Sequence, residues 1–303
     1  MPAGPSEFRA GFVAIVGEPN VGKSTLLNAL LDQKISIVTP KPQTTRQRIL
    51  GILNIDGAQI VFLDTPGLIK PKYLLQERMV NSAESALRDA DVILVMTEVA
   101  RGTRLPREVE EMAIRKQAGK PILLVVNKVD TVYKPLVLPT IAQFSARNEF
   151  REIIPVSALQ RDNLDDLLKT LVNYLPVHEP FYPTDIVSDA TERFFVAEFI
   201  REKVFEQFQE EVPYSTAVEI REYREREGGK TYINADIVVE RDSQKGILIG
   251  TKGEALKKVG KAARDEIEKF LEHEVFLELR VKVREHWRER EAFLRNFGYS
   301  SKS

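Results

Sequence analysis

Gly17-Glu18-Pro19-Asn20-Val21-Gly22-Lys23-Ser24 fits the pattern G-x-x-x-x-G-K-[ST] at every position. In such a loop the backbone N–H groups, with those of the helix that follows, can wrap a chain of phosphates. Lys23 would set a point charge against the β- and γ-phosphates, and the Ser24 hydroxyl would ligate Mg²⁺. The context agrees. The apolar run Phe12 to Val16 reads as a strand, and Thr25-Leu26-Leu27-Asn28-Ala29-Leu30-Leu31 reads as a helix. Gly17 through Thr25 are therefore the candidate phosphate contacts of a nucleoside triphosphate.

Three later segments decide which nucleotide. Val61-Phe62-Leu63 is a strand run ending in Asp64-Thr65-Pro66-Gly67. Asp64 can hold Mg²⁺, usually through a water, and Gly67 lets its N–H come close to a γ-phosphate. Pro121 to Val126 is another strand run, ending in Asn127-Lys128-Val129-Asp130. The Asp130 carboxylate can accept from guanine N1–H and its 2-amino group, while the Lys128 stem covers one face of the base. Adenine offers neither donor, and a hydrogen bond to a charged group is worth about 1.5–3 kcal/mol. Ile153-Ile154-Pro155-Val156 leads into Ser157-Ala158-Leu159, where a backbone N–H can donate to guanine O6. Each pattern alone would be an ordinary loop. In this order, each after an apolar run, they imply guanine.

The elements that position these loops follow from the periodicity. Strands are expected near 12–16, 49–54, 58–63, 91–97, 121–126 and 152–156, and helices near 23–31, 75–88, 106–118, 136–147 and 163–174. That alternation predicts an α/β domain with a mainly parallel sheet covered by helices on both faces, and phosphate loops at the carboxyl ends of the strands. Pro176 to Thr184 carries three prolines in nine residues and reads as a semi-extended linker. Beyond it the order changes to αββααβ, a smaller α+β domain. Asp189 with Glu192 resembles a capping box opening a helix to about Gln209. Strands are expected near 214–224 and 230–241 around a Gly228-Gly229 turn. A helix pair straddles 250–253, a strand follows near 274–284, and a last helix spans about 286–296. The expected division is a GTP-binding domain over 1–178, a linker over 179–184 and a second domain over 185–303.

Composition sets the outer bounds. The 303 residues are 43% hydrophobic and 29% charged, with a formal net charge of −1, so nucleic-acid affinity would need a local patch. The absence of cysteine excludes disulfides and thiolate metal sites and suits a reducing compartment. No apolar run approaches the ~20 residues of a membrane span, and the start shows no apolar signal core.

In the second domain, Ile249-Gly250-Thr251-Lys252-Gly253 forms a Gly-x-x-Gly loop between two helices. On the helix after it Leu256, Val259, Ala263, Ile267 and Phe270 share a face and should be core, leaving Lys257, Lys258, Lys261 and Arg264 outside. This arrangement resembles a type II KH domain, whose loop clamps about four single-stranded nucleotides. Trp287, among arginines, is expected to pack the last helix onto the domain.

A phosphate-loop GTPase followed by a type II KH domain resembles the Era family of bacterial ribosome-assembly GTPases over nearly the whole chain. Lys41-Pro42-Gln43-Thr44-Thr45-Arg46-Gln47-Arg48 and Lys245-Gly246-Ile247-Leu248-Ile249-Gly250 add to the likeness. The resemblance implies a GTP-hydrolysing switch that binds single-stranded 16S ribosomal RNA near its 3′ end, through Ile249 to Gly253 with Lys257, Lys258 and Lys261. It implies a partner in the small ribosomal subunit and a cytoplasmic setting, in a family of which some members are also found at the inner membrane surface. It places the γ-phosphate-sensing threonine within Thr44-Thr45, with Thr45 preferred beside Ser24 and Asp64 as a Mg²⁺ ligand. Lys23, Thr45, Gly67 and Asn20 are the candidate catalytic residues. Leu68 stands where Ras-like enzymes carry a water-orienting glutamine. Related GTPases of that kind use an asparagine in the phosphate loop to hold K⁺, so Asn20 is the expected potassium ligand. The rival reading is a GTP-dependent RNA- or protein-binding module in which hydrolysis is incidental.

Overall fold

The computed structural model describes residues 7–117, 119–225 and 229–299. They divide into two units, one made of residues up to 36, 45–71 and 79–189, the other of 37–44, 72–78 and 190 onward.

The first unit is built on a six-stranded sheet in the order β2-β3-β1-β4-β5-β6: β1 (Arg9–Gly17), β2 (Ile49–Ile55), β3 (Ala58–Asp64), β4 (Val92–Glu98), β5 (Ile122–Asn127) and β6 (Glu152–Pro155). All neighbours run parallel except β2, which is antiparallel to β3. A parallel strand covered on both faces needs an unbroken apolar run. β3 and β5 meet this, being buried at every position. The helices are α1 (Lys23–Leu31), α2 (Leu74–Asp89, of which residues 74–78 belong to the second unit), α3 (Arg107–Val109), α4 (Val137–Ser145) and α5 (Leu164–Tyr174). Strand order reverses between β1 and β4, which opens a crevice at their carboxyl ends. The phosphate loop leaves β1 at that point.

Two expectations in this unit need correcting. The helix expected over 106–118 is irregular: Glu110–Ile114 is a π-helix and Arg115–Gln117 a 3₁₀ turn. The wide turn lets consecutive Met112, Ala113 and Ile114 all reach the core. Ala118 lies outside the described residues. The proline-rich segment is also more than a tether. Buried Gln59 accepts from the Phe181 and Tyr182 N–H groups (2.7 and 3.0 Å) and donates to Tyr182 O (2.8 Å). Ser188 Oγ donates to Leu50 O, and Ile52 N to Val187 O. These contacts hold the chain against the β2–β3 edge as far as Asp189.

The second unit has the order α6 (Glu192–Gln207), β7 (Ala217–Arg224), β8 (Thr231–Val239), α7 (Asp242–Ile249), α8 (Glu254–Leu271), β9 (Val275–Val283), α9 (Glu291–Asn296). Its sheet runs β7-β8-β9, the first pair antiparallel and the second parallel. Gly228 of the expected turn lies outside the described residues. The N-cap of α6 is Thr191, whose side chain accepts from Phe194 N, in place of the box expected at Asp189. Asp189 belongs to the chain held on the first unit, so the helix starts only after it. The last helix is split, because Arg290 turns extended (φ −111°, ψ 116°) after a 3₁₀ turn over Trp287–Glu289. The break lets both Trp287 and Leu294 be fully buried, with Trp287 Nε1 donating to Ser215 O at 2.8 Å. Among the described residues no helix is long and apolar enough to cross a membrane.

Gln59→Leu would leave the Phe181 and Tyr182 N–H groups without their partner, at about 1–3 kcal/mol for each orphaned group. The expected result is a lower unfolding midpoint together with faster proteolysis between 176 and 189. Unchanged cleavage there would show that the segment is held by other contacts.

Candidate nucleotide site and nucleic-acid groove

The crevice between β1, β4 and β5 gathers four separate loops. Gly22 precedes α1 with a left-handed backbone (φ 99°), and a Cβ there would stand 2.3 Å from Asn127 Nδ2. Glycine therefore lets Asn127 come close enough to donate from Nδ2 to Val21 O at 2.8 Å. Asn127 Oδ1 accepts from Ala158 N at 3.0 Å. One buried amide thus joins the phosphate loop, the Asn127–Asp130 segment and the Ser157–Leu159 segment. Lys128 is left-handed (φ 60°), and its ammonium donates to Asn20 O at 2.8 Å. Asp130 and Leu159 are exposed at the mouth, Leu159 by 72%. Ser157 Oγ accepts from Gln160 N, which shapes the turn below Leu159.

At the phosphate end, buried Lys23 donates to Gly17 O (3.3 Å) and Glu18 O (2.8 Å). Burial lowers its pKa to about 8, with the Asp64 charge opposing. Asp64 Oδ2 accepts from Ser24 Oγ at 2.7 Å and from Ser36 Oγ at 2.8 Å. Burial pushes the Asp64 carboxyl upward, against its bonds from Ser24 and Ser36 and the charge of Lys23. Thr45 Oγ1 lies 2.9 Å from Ser24 Oγ. Thr44 Oγ1 instead meets Thr39 Oγ1 and Lys41 O, away from Ser24. Thr65 Oγ1 donates to Ile15 O, Leu68 N to Gly17 O, and Gly67 lies so close to Pro19 that a Cβ would stand 2.8 Å from its nitrogen. The Leu68 side chain is buried.

Ser24, Thr45 and Asp64 are hard oxygen donors, the set that Mg²⁺ takes. Asp64 Oδ1 is buried and has no hydrogen-bond partner in the described structure. A carboxylate oxygen orphaned in this way is costly and is accounted for where a cation would share it. The residues fit the ion.

Two positions here carry no motif. Asn28 Oδ1 accepts from Ile35 N and Ser36 N, while its Nδ2 donates to Ser36 O. That clamp presents Ser36 to Asp64. An asparagine inside an otherwise apolar helix was the available signal.

In the second unit the Gly-x-x-Gly turn is left-handed at Gly250 (φ 68°), Lys252 (φ 51°) and Gly253 (φ 80°). A Cβ on Gly250 would stand 2.7 Å from Ala255 Cβ, so the residue must be small as well as left-handed. Gly253, Leu256, Lys257, Gly260, Lys261, Arg264, Leu277 and Leu279 line a groove of about 620 Å³. Val259, Ala263 and Ile267 are core, but Leu256 opens onto the groove and Phe270 is half-buried against Phe195 and Phe199. Lys258 is exposed and does not line the groove, whereas Arg264 does. An apolar floor under basic rims at a small-residue turn suits a single strand, with phosphates against the cations and bases over the leucines.

The phosphate-binding unit matches the family model for a 50S ribosome-binding GTPase over residues 12–128, and the second unit the KH domain model over 211–288. The chain is 52% identical to the GTPase Era of Geobacter metallireducens, across 97% of this chain and 98% of that one. The chain belongs to the GTPase Era family. It is also 44% identical to the GTPase Era of Clostridium perfringens over 96% of its length and 98% of that relative. A crystal structure of Era with MgGDPNP and nucleotides 1506–1542 of 16S ribosomal RNA superimposes with a TM-score of 0.93 at 45% identity, covering 97% of this chain and 99% of that one. A variant of Aquifex aeolicus Era bound to GDP and AlF₄⁻ gives the same TM-score and identity, over 97% of this chain and all of that one.

Asn127→Ala would strip the partners from Val21 O and Ala158 N at once. Guanine-nucleotide affinity is expected to fall about a hundredfold, roughly 2.8 kcal/mol. Titration calorimetry reads this directly, and wild-type affinity would show that the loops hold their places without the amide.

Proposed function

We propose that this Era-family GTPase is a switch that binds single-stranded RNA near the 3′ end of 16S ribosomal RNA and acts in assembly of the small ribosomal subunit. The observation that supports this most directly is where the chain changes unit. Thr45, beside Ser24, belongs to the phosphate-binding unit, while Thr44 belongs to the KH unit. In that second unit Arg201 Nη2 donates to Thr44 O at 2.7 Å, and Glu202 Oε1 accepts from Val38 N at 3.0 Å. Lys41 Nζ donates to Phe205 O and Phe208 O at the end of α6. A shift of Thr45 toward a γ-phosphate would be felt one peptide bond away by residues that α6 holds.

Within the nucleotide site each group has a role that its position supports. Asp130 would take the guanine edge and Lys128 the face of the base. Lys23 would stabilise charge on the β- and γ-phosphates, and the Gly67 N–H would report the γ-phosphate. Ser24, Thr45 and Asp64 would hold Mg²⁺, directly or through water, where it supplies charge neutralisation at phosphate oxygens. Leu68 has no polar atom for the attacking water, so unassisted hydrolysis should be slow. The cytoplasmic setting and a peripheral membrane contact are proposals on the family likeness alone.

Hydrolysis is expected to be faster in K⁺ than in Na⁺ at matched ionic strength, with Asn20→Ala removing the difference. Asn20 sits left-handed (φ 66°) and exposed on the loop, where its side-chain oxygen would serve the cation. Equal turnover in both salts would remove the potassium reading.

RNA is expected to bind about tenfold more tightly with a non-hydrolysable GTP analogue than with GDP, a coupling of about 1.4 kcal/mol that must act equally in the reverse direction. Asp at both Thr251 and Lys252 should abolish RNA binding while leaving GTP affinity intact. Identical RNA affinities in both nucleotide states, with RNA-independent turnover, would leave a binding module whose hydrolysis is incidental.

A further inference from the structure

The carboxyl end of β4 carries an acid that no nucleotide motif accounts for. Glu98 is in register with Asn127 across β4 and β5. Its Oε2 lies 2.6 Å from Lys128 Nζ, and its Oε1 lies 2.8 Å from Arg101 Nε. Arg101, at the end of the following 3₁₀ turn, forms an ion pair with Glu18 and donates from Nη2 to Pro19 O at 3.3 Å. Charges therefore alternate along Lys128, Glu98, Arg101 and Glu18. Both ends close on the phosphate loop, one through Asn20 O and the other through Glu18 and Pro19. Glu98 is the most enclosed of the four, its side chain 14% exposed against 38% for Lys128.

Pairs this close to solvent add little to stability, because water screens them. Their consequence is geometric. A lysine stem has several free rotors, and ordering it along a base during binding has an entropic cost. Anchoring Nζ at two points, Asn20 O and Glu98, removes most of that cost beforehand.

We propose that Glu98 is a positioning residue for guanine-nucleotide binding. It holds the Lys128 ammonium so that the stem lies ready along the base, and through Arg101 it steadies residues 18–20. This rests on the reading of Lys128 as the residue that covers the base. Glu98 itself touches none of Ser24, Thr45, Asp64 and Gly67, and its routes to the site are Lys128 and, through Arg101, residues 18–20.

The test is a double-mutant cycle on the full chain with Glu98→Gln, Lys128→Met and both together. Affinities for GTP, GDP and uncharged guanosine are measured alongside melting temperature. Glu98→Gln should weaken GTP and GDP by the same factor, about tenfold, with guanosine following. On the Lys128→Met background it should add little, because both changes remove one interaction. A lower melting temperature with unchanged affinities would make Glu98 merely structural and overturn the proposal. So would a loss that adds in full to that of Lys128→Met, or a tightening confined to GTP, which would report only a removed negative charge. If Lys128→Met alone changes nothing, the reading of Lys128 fails instead, and the proposal with it.

Discussion

The nucleotide site depends on the approach of the Asn127 amide to Gly22. The phosphate loop, the Asn127–Asp130 loop and the Ser157–Leu159 turn come from distant parts of the chain, and sheet pairing fixes only the strand ends they leave. Joining Val21 O to Ala158 N through one side chain sets their separations. That bridge exists only because position 22 has no Cβ. The glycine of the motif thus has two functions, a left-handed turn and a space for the amide. Within the sheet Glu98 aligns with Asn127, so the ion-pair chain through Lys128 and Arg101 is built on the same frame.

The second unit shows a different economy of charge. Arg201, Glu202 and Lys203 are all buried on α6, in a stretch with Phe199, Ile200, Val204 and Phe205. Replacing such charges by apolar residues is often neutral or stabilising, so burial of three in succession calls for a reason. Two of them are engaged with segment 37–44. Arg201 takes the Thr44 carbonyl while Glu198 neutralises it, and Glu202 takes the Val38 N–H. Backbone polar groups of an irregular segment need partners when they are buried, and α6 supplies them from charged side chains. A hydrophobic α6 would pack as well but could not hold that segment in one place.

How much of this was legible depended on how local the chemistry is. The nucleotide motifs are contiguous and each follows an apolar strand run, so the loops they form could be placed directly. The αββααβ order and the Gly-x-x-Gly turn were legible because strand and helix periods differ and left-handed turns favour glycine. Leu256 was misplaced into the core because periodicity identifies an apolar face but not whether a helix or a groove covers it. The π-turn at Glu110–Ile114 and the break at Arg290 were hidden because side chains brought together by the fold, not local propensity, set them. Ser36, Glu98 and Arg201 carry no motif. Each matters through a partner far along the chain, at Asp64, Lys128 and Thr44, and single-residue patterns do not encode pairs.

Leu68 connects these levels. Its N–H bonds Gly17 O and its side chain enters the core, while Thr65 Oγ1 holds Ile15 O and Gly67 abuts Pro19. The turn from Asp64 to Leu68 is therefore fastened to the phosphate loop at Gly17 and Pro19 and to β1 at Ile15. The buried leucine that cannot orient water is part of the fastening. Residues 72–78, only a few positions later, belong to the other unit, as do residues 37–44. The chain thus changes unit on either side of the stretch that carries Thr45 and the turn from Asp64 to Leu68, at Thr44–Thr45 and at Pro71–Lys72.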